Sequence, residues 1–307
     1  MLNATAVKLG LGTGGFHFVI SNFNNIENEI NISNGHIMKM KYTPQQVRCL
    51  SLEEESNKYH DIFNNFNSLD DKTYIVGSLH SMLEPLVASI KFINPKFKIC
   101  YIMTDAGALP ISFSNTVRRL KNKGLIENTI TVGNAFGGDY ECINIYTGII
   151  AAKEIIKADI TIITMGPGIV GTNTKFGFSG IEQGHILDAI TNLGGKSIAI
   201  PRISFNDNRI RHKGISHHTI TILKEISIYR TTVIFPELEG EKFDYIKKQI
   251  DINNIQDKHD VIVKNGNIVK DALDYFKLNP VTMGRSYEKD KEFFYTLGAI
   301  ANFVCCN

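Results

Sequence analysis

ADITIITMGPGIVGT, residues 158–172, is an apolar, β-branched run that breaks abruptly into Gly166, Pro167, Gly168 and Gly171. A strand of Ile and Thr, apolar on both faces, belongs inside a parallel sheet covered by helices on each side. The glycines after it read as a loop that leaves backbone amides bare. Ligands of such sheets sit beyond the carboxyl ends of the strands. Gly166, Gly168, Gly171 and the adjoining Thr172 are therefore expected to face a ligand, and the loops after neighbouring strands to carry the remaining chemistry.

Outward from this strand the pattern repeats. TYIVGSL (73–79) precedes a helix that Ser81 and Glu84 would open as a capping box, with Pro85 in its first turn. KICYIMT (98–104) precedes a helix from Ser114 to Gly124, a suitable left-handed cap. TITVG (129–133) leads through a Gly-Gly turn to Asp139, read as the cap of a helix over 140–157. After the glycine loop, Ser179 and Glu182 suggest a second capping box opening a helix over 180–192. GKSIAIPRISF (195–205), TTVIF (231–235), DVIVK (260–264) and PVTMG (280–284) supply further strands, each followed by helical spacing, with Ser216 capping the helix after the first of them. Eight strand-then-helix units suit a closed barrel or an open sheet. Their unequal lengths, and the crowding of polar loops at the first five strand ends, favour the open form. The expectation is an α/β fold over 71–307, an open, doubly wound, mostly parallel sheet in a Rossmann-like three-layer arrangement. Ahead of it, 1–70 reads as a small β-rich subdomain with strands FHFVI (16–20) and HIMKMKY (36–42), then a polar helix or linker over 43–71. Glycines 10, 12, 14 and 15 read as a tight turn, being too far from a helix start for a dinucleotide fingerprint.

Composition narrows the partners. The formal net charge of +2 over 307 residues creates no field favouring nucleic acid or membrane. Five cysteines, an odd number with no CxxC pair, argue against a disulfide framework and for a reducing, cytoplasmic setting. No basic leader precedes an apolar segment, and no apolar run reaches the ~20 residues of a membrane span. A small anionic ligand remains the expected partner, with room for a homo-oligomer.

Several motifs at the strand ends carry chemistry. Gly166 to Gly171 has the spacing of a triphosphate loop, but Thr172-Asn173 replaces the Lys-Ser/Thr that should follow, which argues against that route. GFSGIEQG (177–184) lacks the second glycine of a nucleophile elbow at Ile181, so Ser179 reads as a cap. RISFNDNRIRHKGISHH (202–218) is the densest polar stretch directly after an apolar strand. Arg202, Arg209, Arg211 and His212 there could present charge-assisted donors to phosphate or carboxylate. The competing reading is a solvated basic loop with Asp207 paired to an arginine. His217 and His218 open a helix whose dipole disfavours imidazolium and leaves a neutral base or ligand. Asp105 and His80, each after a strand, and Asp139, which the cap reading also explains, complete the candidate catalytic set; Arg285 is a further strand-end cation. A divalent metal would need His212, His217 or His218 to join Asp105, Asp139 or Asp207, although no HExxH-like spacing supports it.

LGLGTGGFHF, HIMKMKYTP, LHSM, TDAGALP, AFGGD, MGPGIVGT, GFSG, RISF, RH and SHHT occur in this order along the chain. As a set they resemble a bacterial family known as domain of unknown function 3866, over almost the whole length. The resemblance implies one conserved globular unit and lends no activity. It also implies a histidine where this chain has Asn134; if that histidine is a base or ligand elsewhere, this member is altered or inactive. A further β-rich segment ahead of LNAT in similar chains would leave the first strands here short of partners. The residues point first to an enzyme acting by hydrolysis or group transfer on a small phosphorylated or nucleotide-like substrate, with Asp105 as acid/base or metal-holding carboxylate and His217 and His218 assisting. The second reading is a non-catalytic module that senses such a ligand.

Overall fold

The computed structural model describes residues 34–43 and 46–306. The chain divides into two units, with the boundary in sequence between Leu50 and Ser51. In the smaller, β1 (Ile37–Lys39) pairs antiparallel with β2 (Val47–Cys49). HIMKMKY thus supplies a strand, and its partner lies in a segment whose polarity suggested a helix or linker. The expected strand at 16–20 and the glycine turn at 10–15 lie outside the described residues.

The larger unit is built on β3 (Thr73–Gly77), β4 (Ile99–Thr104), β5 (Asn128–Thr131), β6 (Tyr140–Glu141), β7 (Ile160–Met165), β8 (Lys196–Ala199), β11 (Thr232–Pro236) and β12 (Asp260–Lys264). They form one sheet in the order β12-β11-β8-β3-β7-β4-β5-β6, and every ladder in it is parallel. A separate two-residue ribbon, β9 (Ile203–Ser204) with β10 (Gly214–Ile215), closes the base of the arginine-rich loop. All six residues of β7 are buried, and the strand is slotted between β3 and β4, as its Ile/Thr composition requires.

Alternation along the strands divides the core in two. Ile75, Tyr101 and Ile162 pack with Leu86, Leu120, Leu273 and Leu297 from the helices Leu83–Ile93, Asn115–Asn122, Ile268–Phe276 and Lys291–Cys306. Tyr74, Ile102 and Ile163 pack with Ile149, Ile190 and Ile246 from Ile145–Glu154, Glu182–Asn192 and Glu241–Ile252. The result is a mixed α/β unit with a large parallel sheet flanked by helices. Among the described residues no helix is long and apolar enough to cross a membrane.

Several local expectations change. PVTMG forms no strand: Met283 and Gly284 both take positive φ, making a tight turn closed by the Thr282–Arg285 bridge. The eighth strand is instead the two-residue edge β6, too short to leave a periodic signal. Caps also differ. Asn144, with Thr147, forms the capping box of Ile145–Glu154, so Asp139 caps nothing. Neither Ser81 nor Ser179 caps a helix; Ser81 donates to Thr282 Oγ1 (3.1 Å), and Ser179 Oγ accepts the Val170 N–H (3.1 Å) and so pins the glycine loop. Ser114 and Ser216 do cap, accepting from the amides of Val117 and His218.

One packing contact leaves no room for a side chain. A Cβ on Gly298, inside Lys291–Cys306, would lie 2.1 Å from the Gly266 carbonyl oxygen. Because the obstacle is backbone, Gly298→Ala is expected to exceed the about 1–3 kcal/mol typical of overpacking. Urea unfolding of the variant measures this; a change under about 0.5 kcal/mol, the size expected at an inert surface position, would contradict it.

Candidate functional site

With all strands of the sheet parallel, their carboxyl ends share one rim. His80 follows β3, Asp105 follows β4, Asn134 follows β5, the 166–178 loop follows β7, and the arginine- and histidine-rich segment follows β8. Asp139 is the exception. It stands just before β6, accepts the Thr129 N–H (2.8 Å) and hydroxyl (2.9 Å) near the start of β5, and pairs with Lys121. Burial works to raise its carboxyl, but Lys121 and Thr129 together hold it below the usual range. This aspartate latches an edge strand, away from the rim where chemistry was expected of it.

His80 lies on the rim but its ring is occupied. Nδ1 is 3.2 Å from the Tyr101 hydroxyl and Nε2 2.6 Å from Ser114 Oγ, and burial pushes its pKa down to about 4. Asp105 is more open. Its Oδ2 accepts from the Asn134 backbone (3.0 Å) and side-chain amide (2.9 Å). Gly133, at φ 66, brings the chain close enough that a Cβ there would meet Asp105 Oδ2 at 3.0 Å. Beside it stands Glu182, whose carboxylate accepts from the Thr104 hydroxyl; burial raises its pKa, and the Asp105 charge adds to the rise. Glu182 was expected only in a capping role. The available signal was its position in the first turn of the helix that follows the central strand.

The glycine loop spans from this carboxylate pair to the histidines. Gly166 is buried against Met103, whereas Gly168 (φ 121) is exposed, and a Cβ there would stand 3.7 Å from Gly107. Thr172 turns onto its own loop, its hydroxyl bonding the Gly177 carbonyl (2.9 Å). Gly171 is bridged to Phe178 and lies against His218. Of the four loop residues expected at a ligand, Gly171 lines a hollow of about 110 Å³, with Arg202, Arg209, Arg211, His212 and His218.

The guanidiniums of this hollow are unequal. Asp207, its side chain 3% exposed, receives Arg209 in a two-pronged fork (2.9 and 2.8 Å) and the buried Arg202 at 3.2 Å, with Arg285 at 3.6 Å. Arg209 holds the Asp207 carboxyl well below the usual range, and burial pushes Arg202 down to about 10 against the pull of Asp207. Arg285 donates to the fully buried Asp290 (2.7 Å), which Ser204 also bonds. The expected Asp207–arginine pair thus exists, inside the protein rather than on a solvated loop. Arg211 differs: it makes no ion pair among the described residues, and its Nε is buried without a hydrogen-bond partner.

His212, His217 and His218 converge, with ring centroids 4.2–5.1 Å apart. Ser216 Oγ lies 2.7 Å from His212 Nδ1, and the His218 ring stacks on Phe178 at 3.9 Å. Burial, then the nearby arginines, takes His212 to about 3. Burial, then His217 and the arginines, does the same for His218; His217 is lowered by burial and by Arg211. Each ring is thereby shifted toward the neutral imidazole. Neutrality was expected from a helix dipole; burial is the largest cause for all three rings, and guanidinium charge adds to it. The aspartates considered as metal partners do not join the cluster: Asp139 is at the other end of its strand, Asp207 is taken by arginines, and Asp105 bonds Asn134.

Comparison with curated proteins finds no match. The family comparison does: the match runs through residues 1–301 and so takes in every rim segment described above, and the chain belongs to the family DUF3866, described as "Protein of unknown function".

Proposed function

We propose that this rim binds a small phosphorylated or nucleotide-like anion and acts on it by hydrolysis or group transfer. The observation that carries the reading is Arg211, an unpaired guanidinium with a buried bare Nε, lining a hollow whose other cations are already aimed by Asp207. A buried donor without a partner is destabilising, and a phosphate oxygen would satisfy it. Neutral imidazoles beside the anion, and the Asp105–Glu182 carboxylates farther along the rim, supply groups able to move a proton. The strand order supports a doubly wound, Rossmann-like reading of the sheet. The connection from β3 leads toward the β6 edge and that from β7 toward the β12 edge, and such a reversal opens a crevice at the carboxyl ends. An odd count of five cysteines with no CxxC pair favours a cytoplasmic setting.

Thermal-shift screening with inorganic phosphate and phosphorylated metabolites tests the binding. A ligand at a hundred times its Kd should stabilise the protein by about 2.7 kcal/mol. Arg211→Ala should abolish that shift without lowering unliganded stability, since it removes a buried donor that has no partner. No shift with any phosphorylated compound, or a full shift in Arg211→Ala, would overturn the reading. The sensor reading is favoured by one observation: Asp105 is engaged by an asparagine amide, which cannot relay a proton as a histidine can. A ligand that stabilises the protein and is never consumed decides for it.

A further inference from the structure

We infer that His212, His217 and His218 form a binding site for a divalent transition-metal ion of the zinc type. The site rests on the histidines alone and stands whether or not the hollow binds phosphate. Each ring offers one nitrogen, and the three lie within 4.8 Å of one another. A tetrahedral ion with bonds of about 2.0–2.1 Å needs its ligand nitrogens about 3.4 Å apart, so the widest pair must close by up to about 1.4 Å. The rings are also held as ligands are held. In the tautomer whose Nδ1–H donates to Ser216 Oγ, His212 Nε2 presents a bare lone pair, and such an outer-shell contact can fix a metal-binding ring. Phe178 sets the plane of His218. His217 Nε2 is buried with no hydrogen-bond partner.

That last atom separates this cluster from ordinary buried histidines. His259 shows the ordinary case: Nδ1 accepts the Thr231 N–H (3.3 Å) and Nε2 bonds the Leu223 carbonyl (2.7 Å), leaving nothing over. A buried polar nitrogen left bare calls for an explanation, and a metal ion facing three imidazoles is one. An all-imidazole set selects zinc, cobalt, nickel or copper over magnesium or calcium, which prefer oxygen. Three protein ligands leave a fourth position open. The hollow lined by Arg202, Arg209 and Arg211 adjoins it. Guanidinium charge there weakens the hold on a bare dication, so the open position should be filled by hydroxide or another anion.

Cobalt(II) titrated into the EDTA-treated full-length chain provides the test, read by the visible absorption of a tetrahedral nitrogen site. One equivalent should develop the band. His217→Ala, a change at a half-buried ring, should weaken binding by more than about tenfold, whereas His185→Ala, at an exposed histidine, should leave it unchanged. His217→Gln serves as a second variant, with near-UV circular dichroism checking that each variant is folded. A band that never appears, or one that persists at full affinity in both folded His217 variants, overturns the site. Phosphate stabilisation measured on the same EDTA-treated protein reports on the anion reading separately, so either can fail without the other.

Discussion

Asp207→Asn is expected to lower the unfolding free energy by about 3–5 kcal/mol, the range for removing one partner of a buried ion pair. The carboxylate is almost fully enclosed and holds Arg209 in a fork, Arg202 directly and Arg285 more distantly. Arg202 is itself buried, so the loss of Asp207 strands a charge with little access to water. An asparagine fills the same volume but supplies one neutral acceptor where two charged oxygens served two guanidiniums. Denaturant unfolding near neutral pH measures the change. A loss below about 1 kcal/mol, the level of a surface pair, would show that the arginines find other partners. Phosphate binding separates charge from placement. The variant is more positive, so charge alone would strengthen binding, whereas the loss of the mould that aims Arg202 and Arg209 should weaken it.

Acidification should destabilise the protein before its carboxylates titrate. Burial takes His80 from 6.5 to about 4. Above 6.5 the ring is neutral in folded and unfolded chains, and His80 contributes no pH dependence. Below 6.5 the unfolded chain takes up a proton that the folded one refuses, so stability falls as pH falls, and the loss levels off near 4. The full gap corresponds to about 3 kcal/mol. His259, and His212, His217 and His218, all lowered chiefly by burial, add in the same direction. Unfolding free energies measured between pH 7 and 4.5 should therefore decline in wild type and decline less steeply in His80→Gln, which keeps hydrogen-bonding groups near Tyr101 and Ser114 without a titrating ring. Parallel profiles for the two proteins would exclude His80 as the source.

Much of the fold was legible because its signals are local. Continuous β-branched runs such as 160–165 can be stable only where both faces are covered, and Ser114, Gly124 and Ser216 mark helix ends through contacts with their own chain neighbours. The same logic put Asp105, Gly171, Arg211 and the three histidines after strands, hence on one rim. Local signals also misled where two partners compete for one side chain. Asp139 looked like a cap because the helix start was read too early, and Glu182 looked like half of a capping box although its carboxylate turns to Thr104.

By itself, then, the chain's pattern determined the alternation of strands and helices, the parallel sheet, and the segments that gather at its carboxyl edge, since each depends on residues within about one turn or one strand of each other. Tertiary structure alone decided that β7 is inserted between β3 and β4, that Asp207 takes Arg209, Arg202 and Arg285 while Arg211 goes unpaired, and that the histidines meet each other rather than an aspartate. Those outcomes depend on distances between residues far apart in the chain, such as Asp207 and Arg285, or on how a loop folds back over the rim. No periodicity encodes either.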